Sequence, residues 1–259
     1  MKPIVIKIGG STLGSHDTTI DDLVTLQRTG AQLVVVHGGA KEVTDWLTRL
    51  NIPTTFVNGL RVTDLETLKV VTAVLAGLVN KELVSSLWKH GGKAIGLSGV
   101  DGDLIQGCNK TPSLGYTGEE LRVNVSLLKL LIKEGYMPVV APVCLGQYGE
   151  SNNETNLINV NGDTTAAEIA AALDAERLIF LTDVPGIYDH AKKLVKSLSC
   201  EEARKLIKSG AASGGMVAKI EACLLAVPKV PIARIIDGTA PHSLLNEIKE
   251  EGEGTTIAG

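Results

Sequence analysis

Aromatic residues are scarce in this 259-residue sequence, where Phe, Trp and Tyr together make up only 3%. Hydrophobic residues still reach 44% and charged residues 21%, so the chain can build a core and is not of the disordered class. That core must consist mainly of Val, Ile, Leu and Ala, as in buried parallel sheets. The composition therefore favours an α/β protein, either one compact unit or two closely joined lobes.

An excess of positive charge and clustered cysteines are also lacking. The formal net charge is −4, so the chain has no overall basic field of the kind that holds nucleic acid or an anionic membrane. Its four cysteines are widely spaced, with no Cys-x-x-Cys pair and no histidines at zinc-ligand spacing. We therefore predict a reducing, cytoplasmic location and no nucleic-acid partner.

Long hydrophobic runs are the third absence. The apolar run at 4–8 is too short for a signal peptide and is broken at once by Gly9. No stretch approaches about 18 continuous apolar residues, the length that a membrane-spanning helix needs. We therefore predict no membrane-spanning segment and no membrane partner.

Short apolar runs alternate with amphipathic stretches along the chain, a pattern typical of strands joined by crossover helices. The predicted strands are 4–8, 33–36, 94–97, 137–140, 178–181 and 233–236. The predicted helices are 21–29, 41–50, 64–90, 125–134, 164–173, 201–209 and 216–227. This order predicts a three-layer α/β/α sandwich with a mainly parallel central sheet. The segments 54–62 and 103–118 break the rhythm, and we interpret them as hairpins at one edge of the sheet.

Glycine pairs follow the first two predicted strands, namely Gly9-Gly10 and Gly38-Gly39. Ligands of open parallel sheets bind beyond the carboxyl ends of the strands, and glycine lets backbone amides approach phosphate oxygens. One such pair often makes only a tight turn, but two pairs at successive strand ends favour a shared anion site. Neither a GxxxxGK[ST] loop nor a GxGxxG fingerprint is present, so the positive charge must come from other residues.

Two lysines are candidates for that charge. Lys7 interrupts an apolar strand just before the first glycine pair, where a buried ammonium is costly unless it reaches a partner or a ligand. The alternative is a lysine on an edge strand that points to solvent. Lys219 follows Gly214-Gly215 near the start of an apolar helix, and alone it would be interpreted as a surface residue. The combination makes both lysines candidates for phosphate binding.

Six segments carry a resemblance to a known family. In chain order they are KIGG at 7–10, HGG at 37–39, FVNGLRVTD at 56–64, NVNGD at 159–163, LTDVPG at 181–186 and GGMVAK at 214–219. With these segments in the family's order, the sequence resembles the acetylglutamate kinases of the amino-acid kinase family. The Lys-x-Gly-Gly and Thr-Asp-Val-x-Gly elements mark the wider family, whereas Asn-Gly-Leu-Arg-Val-Thr-Asp is more specific for the acetylglutamate branch.

The resemblance implies ATP-dependent phosphorylation of the side-chain carboxylate of N-acetyl-L-glutamate, a step of arginine biosynthesis. Such a transfer brings two anions together, so the site must neutralise charge and align the reactants. Lys7 and Lys219 match the family's phosphate-stabilising lysines, and Asp163 matches the aspartate that holds them. From the residues alone, Asp163 fits equally well as a helix N-cap. His37 is interpreted as structural, because an ionised carboxylate needs no general base.

The resemblance also implies that four residues bind the acceptor substrate. Arg61 suits the α-carboxylate because its guanidinium binds two oxygens at once, and Asn159 matches a second ligand at that end. Gly38 and Gly39 would donate to the reacting carboxyl group. An exposed hairpin arginine and a turn asparagine are the alternatives for the first two.

The nucleotide side of the site is implied in the same way. Lys7, Gly9, Gly10, Asp183 and Lys219 match the positions that the family uses around ATP. Mg²⁺ should enter with the nucleotide and bridge its phosphates, so we name no protein ligand for a metal.

The resemblance further implies one amino-acid kinase domain, with residues 1–175 binding the acceptor and 176–259 binding ATP. A homodimer is expected, in part because the helix at 64–90 offers apolar residues for packing, although these fit a core equally well. They are Val70, Val71, Val74 and Leu75. Arginine-inhibited relatives carry an additional N-terminal helix, whereas the first strand here begins almost at once, so we expect no inhibition through that device.

Other functions stay open at this point. The segment GYTGE at 115–119 resembles kinases that act on carrier-protein-bound aminoadipate or glutamate in lysine or ornithine biosynthesis, although the insertion that those relatives usually carry near the arginine hairpin is absent. A non-catalytic nucleotide-binding module is a second alternative, against which Lys7, Lys219 and Asp163 argue. A nicotinamide-dependent oxidoreductase is disfavoured, because the dinucleotide fingerprint is missing.

Overall fold

The computed structural model describes residues 2–10, 18–57, 59–146 and 155–259. Its strands are β1 (Ile4–Ile8), β2 (Leu33–His37), β3 (Phe56–Val57), β4 (Leu60–Arg61), β5 (Ala94–Ser98), β6 (Ile105–Cys108), β7 (Thr117–Val123), β8 (Met137–Ala141), β9 (Val143–Gly146), β10 (Leu157–Val160), β11 (Arg177–Thr182), β12 (Ser197–Ser199), β13 (Ile232–Asp237) and β14 (Thr255–Ala258). Its α-helices are α1 (Thr19–Arg28), α2 (Ala40–Arg49), α3 (Leu65–Thr72), α4 (Asn80–Lys89), α5 (Ser126–Lys133), α6 (Gly162–Ala172), α7 (Cys200–Lys208), α8 (Gly215–Ala226) and α9 (Ser243–Ile248).

Eight strands form the central sheet in the order β12-β14-β13-β11-β1-β2-β8-β5. Neighbouring strands are parallel at every step except between β13 and β14, which are antiparallel. All six predicted strands belong to this sheet, so the predicted mainly parallel sheet is confirmed. The seven predicted helices are also present, with ends that differ by no more than two residues.

Helices cover both faces of the sheet, and the alternation of side chains along β1 shows how. Ile4, Ile6 and Ile8 pack with residues of α1, α4 and α9, whereas Val5 packs with residues of α6 and α8. Successive residues of a strand point to opposite faces, so Lys7 lies on the face of Val5, beneath α6. The predicted three-layer sandwich is therefore confirmed, and Lys7 is a central-strand lysine instead of an edge-strand one.

A second, smaller sheet changes one prediction. The segment 103–118 contributes β6 and the start of β7, which pair antiparallel as a hairpin does. Together with β9 and β10, however, these strands close a four-stranded barrel in the order β10-β7-β6-β9. The interpretation as a simple edge hairpin was wrong, because half of the barrel comes from a later part of the chain. The segment 54–62 does form the predicted hairpin, with β3 paired to β4.

The predicted helix at 64–90 is continuous, but its middle, Ala73–Val79, is a π-helix between α3 and α4. Within the described residues, Leu65–Lys89 is the one helix long and apolar enough to cross a membrane by length and composition. A single helix of this kind is weak evidence of a membrane span, because core helices have the same length and composition. In this helix Val71, Val74 and Leu75 are buried against α2 within the protein. Their burial identifies these three as core residues, so they do not support a dimer interface.

Candidate active site

The two glycine pairs lie side by side at the carboxyl edge of the sheet. β1 and β2 are neighbours in register, with Ile8 opposite His37. The N–H of Gly38 donates to the carbonyl of Ile8 at 3.0 Å, which ties the second loop to the first strand. The N–H of Gly9 donates to the carbonyl of Leu181 on β11 at 3.3 Å. The ends of three adjacent strands therefore meet here, and the two glycine pairs come together as the sequence predicts.

A single carboxylate joins the two candidate lysines at this edge. Nζ of Lys7 lies 2.8 Å from Oδ1 of Asp163, and Nζ of Lys219 lies 3.2 Å from Oδ2. Lys7 and Asp163 are 7% and 6% exposed, so their charges are largely removed from water. Buried charges of this kind persist only when they are paired. The structure thus brings Lys7, Lys219 and Asp163 together as predicted.

The start of α6 explains why the Asp163 carboxylate is available to the lysines. The side chain of Asn161 caps the helix, accepting from the N–H groups of Asp163 at 2.7 Å and Thr164 at 3.2 Å. Asp163 is therefore the second residue of the helix, and the N-cap alternative for it was wrong. The sequence signal for the true cap was the Asn-Gly-Asp-Thr run, since asparagine is among the strongest N-cap residues.

Electrostatics keep the Asp163 carboxyl ionised. Burial raises its pKa, but the charges of Lys7 and Lys219 and the hydrogen bonds from both lysines outweigh burial and bring the pKa below its usual range. An opposite charge within about 4 Å favours the ionised form. Asp163 is therefore an anchor for cations and a poor proton acceptor.

Arg61 lines the same cavity as the two lysines. Its Nη2 donates to the carbonyl of Ala40 at 2.9 Å and to Oγ1 of Thr44 at 3.0 Å, while the guanidinium stands 4.6 Å from the ring of Phe56. The residue is 7% exposed, and burial lowers its pKa from the ordinary arginine value. The exposed-hairpin alternative was therefore wrong, and Arg61 is held rigidly between the hairpin and α2.

Asn159 belongs to a buried network that supports the arginine. Its Nδ2 donates to Oγ1 of Thr63 at 3.2 Å, and the hydroxyls of Thr63 and Thr117 lie 2.9 Å and 2.7 Å from the carbonyl of Arg61. The N–H of Tyr116 donates to the carbonyl of Thr63 at 2.6 Å. Tyr116 and Thr117 of the 115–119 segment therefore make structural contacts that hold the Arg61–Thr63 backbone in place. Sequence reasoning did not find Thr63 and Thr117, because their contacts join distant segments.

The groups of this edge enclose a cavity of about 250 Å³. Its lining includes Lys7, Gly10, Gly38, Gly39, Arg61, Val71, Leu75, Thr117, Asn159, Asp163 and Lys219. The cavity has cations at two places, the lysine pair at one and the arginine at the other, with an apolar wall from Val71 and Leu75. Such a space fits a small molecule with two acidic groups better than a nucleic acid or a protein segment.

Gly39 lines the cavity at the point where α2 begins. Its φ is +146°, and a Cβ there would lie 2.7 Å from Cδ2 of Leu75, so only glycine fits. No side chain caps α2 at this end. The free N–H groups of a helix start form a natural anion site, and a Cβ added to neighbouring Gly38 would lie 3.5 Å from Nζ of Lys7.

Asp183, like Gly9, is a candidate that is not among the residues lining this cavity. It is exposed and follows β11 by one residue, just beyond Leu181, whose carbonyl accepts from Gly9. It therefore lies at the same sheet edge, next to the first glycine pair. Its role around ATP stays a prediction.

The acidic side chains near the cavity bear on whether the protein itself could bind a metal. No group of three or more His, Cys, Asp or Glu side chains that could hold a metal occurs in the described part of the chain. The oxygens of Asp163 already contact the two lysines. Mg²⁺ bound with the nucleotide therefore stays a prediction.

A parallel sheet with glycine amides at its carboxyl edge, together with two lysines on one aspartate, defines an α/β protein built to bind phosphate groups. The chain belongs to the amino acid kinase family, whose sequence profile matches residues 2–236. It is 46% identical over 256 residues to an acetylglutamate kinase of Dehalococcoides mccartyi, covering 99% of this chain and 94% of that one.

Two further comparisons agree with this assignment. An acetylglutamate kinase of Gloeobacter violaceus is 44% identical over 269 residues, covering 99% of this chain and 87% of that one. A crystal structure of the N-acetylglutamate synthase of Neisseria gonorrhoeae, complexed with coenzyme A and N-acetyl-glutamate, superposes with a TM-score of 0.85 at 25% identity. The match covers all of this chain and 59% of that one.

Proposed function

We propose that the protein phosphorylates the side-chain carboxylate of N-acetyl-L-glutamate with ATP, giving N-acetyl-L-glutamyl 5-phosphate in arginine biosynthesis. The observation that carries this proposal is the cavity that holds the Lys7–Asp163–Lys219 cluster at one place and Arg61 with Asn159 at another. The full-length similarity to acetylglutamate kinases names the acceptor.

The chemistry follows from the charges. One oxygen of the acceptor carboxylate attacks the γ-phosphorus in line, so an O–P bond forms while the bond to the β,γ-bridging oxygen breaks and its electron pair leaves on ADP. The nucleophile is already ionised and needs no base. Lys7 and Lys219 neutralise the negative charge that gathers around the transferred group, and Asp163 fixes where the two ammonium groups stand.

The acceptor is held at both of its ends. Arg61, with Asn159 beside it, receives the α-carboxylate, and the amide of Gly39 receives the reacting carboxyl group. The N–H of Gly38 already donates to the carbonyl of Ile8, so Gly38 shapes the loop at the acceptor instead of binding it through that N–H. The rigid contacts of Arg61 with α2 keep the fork in place before the acceptor binds. Pre-ordered groups of this kind lower the entropy cost of aligning the reactants.

The nucleotide approaches from the β1 and β11 ends. Gly9, Gly10 and Asp183, with the two lysines, form its phosphate side, and a magnesium ion bound to the phosphates would neutralise part of their charge. Residues 176–259 then hold most of the ATP and residues 1–175 the acceptor. We further propose a cytoplasmic homodimer that acts on small molecules only.

The carrier-linked alternative has less support. The Tyr116-Thr117 segment that suggested a carrier-bound aminoadipate or glutamate makes intramolecular contacts with Thr63 and Arg61 instead. A non-catalytic nucleotide-binding module would not need an acceptor site with a buried arginine. Both alternatives are outcomes of the same assay.

The test is ATP- and magnesium-dependent acyl-phosphate formation, trapped with hydroxylamine. N-acetyl-L-glutamate is compared with free glutamate, aspartate and aminoadipate, and a Lys7→Ala preparation controls for contaminating kinases. Selective turnover of acetylglutamate is expected. Selective turnover of another acceptor, or inactivity with all four while ATP still binds, contradicts the proposal.

A further inference from the structure

His37 is a fully buried, ionisable residue that the proposed reaction does not use. It ends β2, opposite Ile8 in the register, so its ring lies on the sheet face away from Lys7. Its Nδ1 lies 2.8 Å from the carbonyl oxygen of Gly38, and its Nε2 lies 3.1 Å from Nδ2 of Asn80. A carbonyl only accepts and an amide NH₂ only donates, so the ring carries its proton on Nδ1 and is neutral.

Asn80 ties this histidine to three other elements. Its Nδ2 also lies 2.9 Å from the carbonyl of Val139 on β8 and 3.2 Å from that of Leu97 on β5. Its Oδ1 accepts from Nζ of Lys81 at 3.0 Å. Asn80 is the first residue of α4, directly after the π-helix that contributes Leu75 to the cavity wall. The Asn80 side chain that contacts the His37 ring is therefore held by two strands and the start of a helix.

The bond to Gly38 decides where the next amide points. In a trans peptide the C=O and the following N–H point in opposite directions. The carbonyl of Gly38 turns toward His37, so the N–H of Gly39 turns toward the face that holds Lys7. Within the described residues this N–H has no acceptor, and Gly39 lines the cavity.

We propose that His37 and Asn80 are positioning residues that lock the Gly38–Gly39 peptide with the Gly39 N–H aimed at the reacting carboxylate. The inference rests on the proposed function, because it names the partner of that amide. Without these contacts the Gly38–Gly39 peptide plane could flip and present the Gly38 carbonyl to the acceptor carboxylate. The carbonyl oxygen would repel that anion. The lock prevents this.

The charges around the ring favour its neutral form. Burial lowers the pKa of His37 to about 4, the bond to Gly38 opposes this, and the positive charges of Lys7 and Lys81 lower the pKa further. The Nδ1–H tautomer therefore persists at neutral pH.

Two isosteric substitutions test the lock. His37→Asn places an amide at the Nδ1 position and keeps the donor to Gly38, whereas His37→Gln places one at the Nε2 position and keeps only the contact to Asn80. We expect His37→Asn to retain kcat within about threefold, and His37→Gln to lose at least tenfold in kcat with an unchanged KM for ATP, since misplacing a reactant can lower the rate about 10²-fold. Asn80→Ala, which leaves the Gly38 contact intact, should cost less than His37→Gln.

Equal kcat values in the two His37 variants, or losses that follow only the melting temperature, would overturn the proposal. The amide resonance of Gly39 in ¹⁵N-labelled protein provides a readout that does not depend on turnover. It should keep its position in His37→Asn and move in His37→Gln. If wild-type protein turns over no acceptor, the proposed function fails, and the resonance still decides whether the lock exists.

Discussion

The ammonium of Lys7 lies 2.8 Å from Oδ1 of Asp163, although one residue stands in the first strand and the other at the start of a helix far along the chain. The same carboxylate contacts Lys219 on α8. One buried anion thus sets the positions of two cations.

Replacement of Asp163 by asparagine should lower kcat about 10²-fold, because both ammonium groups lose the charge that positions them. The variant should also be less stable, since Lys7 is left buried without an anion. Steady-state kinetics and urea unfolding measure the two effects. Asp174→Asn, at the exposed far end of α6, is the matched control and should change neither. Equal turnover in Asp163→Asn and wild type would contradict the assigned role.

Stability should fall in acid through His37. The unfolded histidine binds its proton near pH 6.5 and the native one only near pH 4, so the unfolded state binds more protons between these values. Acidification across that window should lower the free energy of unfolding by about 3 kcal/mol. Denaturant unfolding at pH 7, 5.5 and 4.5 measures how steeply the free energy of unfolding falls with pH. This pH dependence should be weaker in His37→Asn. An unchanged pH dependence would show that His37 does not cause it.

Asp163 should add a second acid-labile contribution at lower pH. Its native pKa lies below the unfolded value, so its stabilisation is complete above pH 4 and is lost as pH falls through the native pKa. The difference in unfolding free energy between wild type and Asp163→Asn should therefore shrink below pH 4. A difference that stays constant down to the lowest accessible pH would contradict this.

Arg61→Lys should raise the KM for the acceptor about tenfold or more with little change in the KM for ATP, because a lysine ammonium does not reproduce the contacts with Ala40 and Thr44 that orient the guanidinium. Initial rates at varied acceptor and varied ATP separate the two constants. Arg49→Lys is the control, since Arg49 is exposed and stands over Trp46 at 5.4 Å outside the cavity. Equal effects on both KM values would remove Arg61 from the acceptor site.

Gly39→Ala should impair both stability and turnover. The added Cβ would lie 2.7 Å from Leu75 at a φ of +146°, at a cost of about 1–3 kcal/mol. Gly30→Ala separates the backbone strain of a positive φ from the steric clash with Leu75. Gly30 also has a positive φ, but no atom lies within 4 Å of the added Cβ. Thermal unfolding should show a smaller loss for Gly30→Ala, with its activity retained.

The carboxyl-terminal elements depend on a second buried pair. Arg234 on β13 donates to both oxygens of Glu247 on α9 at 2.8 and 2.6 Å, and to Thr256 on β14. Glu247→Ala should cost about 3–5 kcal/mol in urea unfolding, because the arginine is left without its anion. Lys205→Ala, which breaks an exposed pair with Glu201, should be nearly neutral. Similar losses in both variants would contradict this reasoning.

Local pattern was sufficient for much of the architecture. The six central strands and seven helices follow from period and apolar runs, because burial on one or both faces leaves a periodic trace in the sequence. The short strands β9, β10, β12 and β14 and the helix α9 were missed. These four strands are only partly buried, whereas β1, β2 and β8 are buried throughout, so burial leaves a weaker trace in their sequences.

The sequence by itself determined which residue types could form the site: the glycine pairs at two strand ends, two lysines, an aspartate near a helix start and an arginine in a hairpin. Only the tertiary structure decided that Asn161 caps α6 and leaves Asp163 to the lysines, that Thr63 and Thr117 hold Arg61, and that His37 turns the Gly38 carbonyl. The Thr117–Arg61 contact joins segments far apart in the chain, and periodicity carries no information about which distant side chains meet. The contacts of Asn161 and His37 are local, but which of several possible partners each side chain takes depends on the elements packed around it.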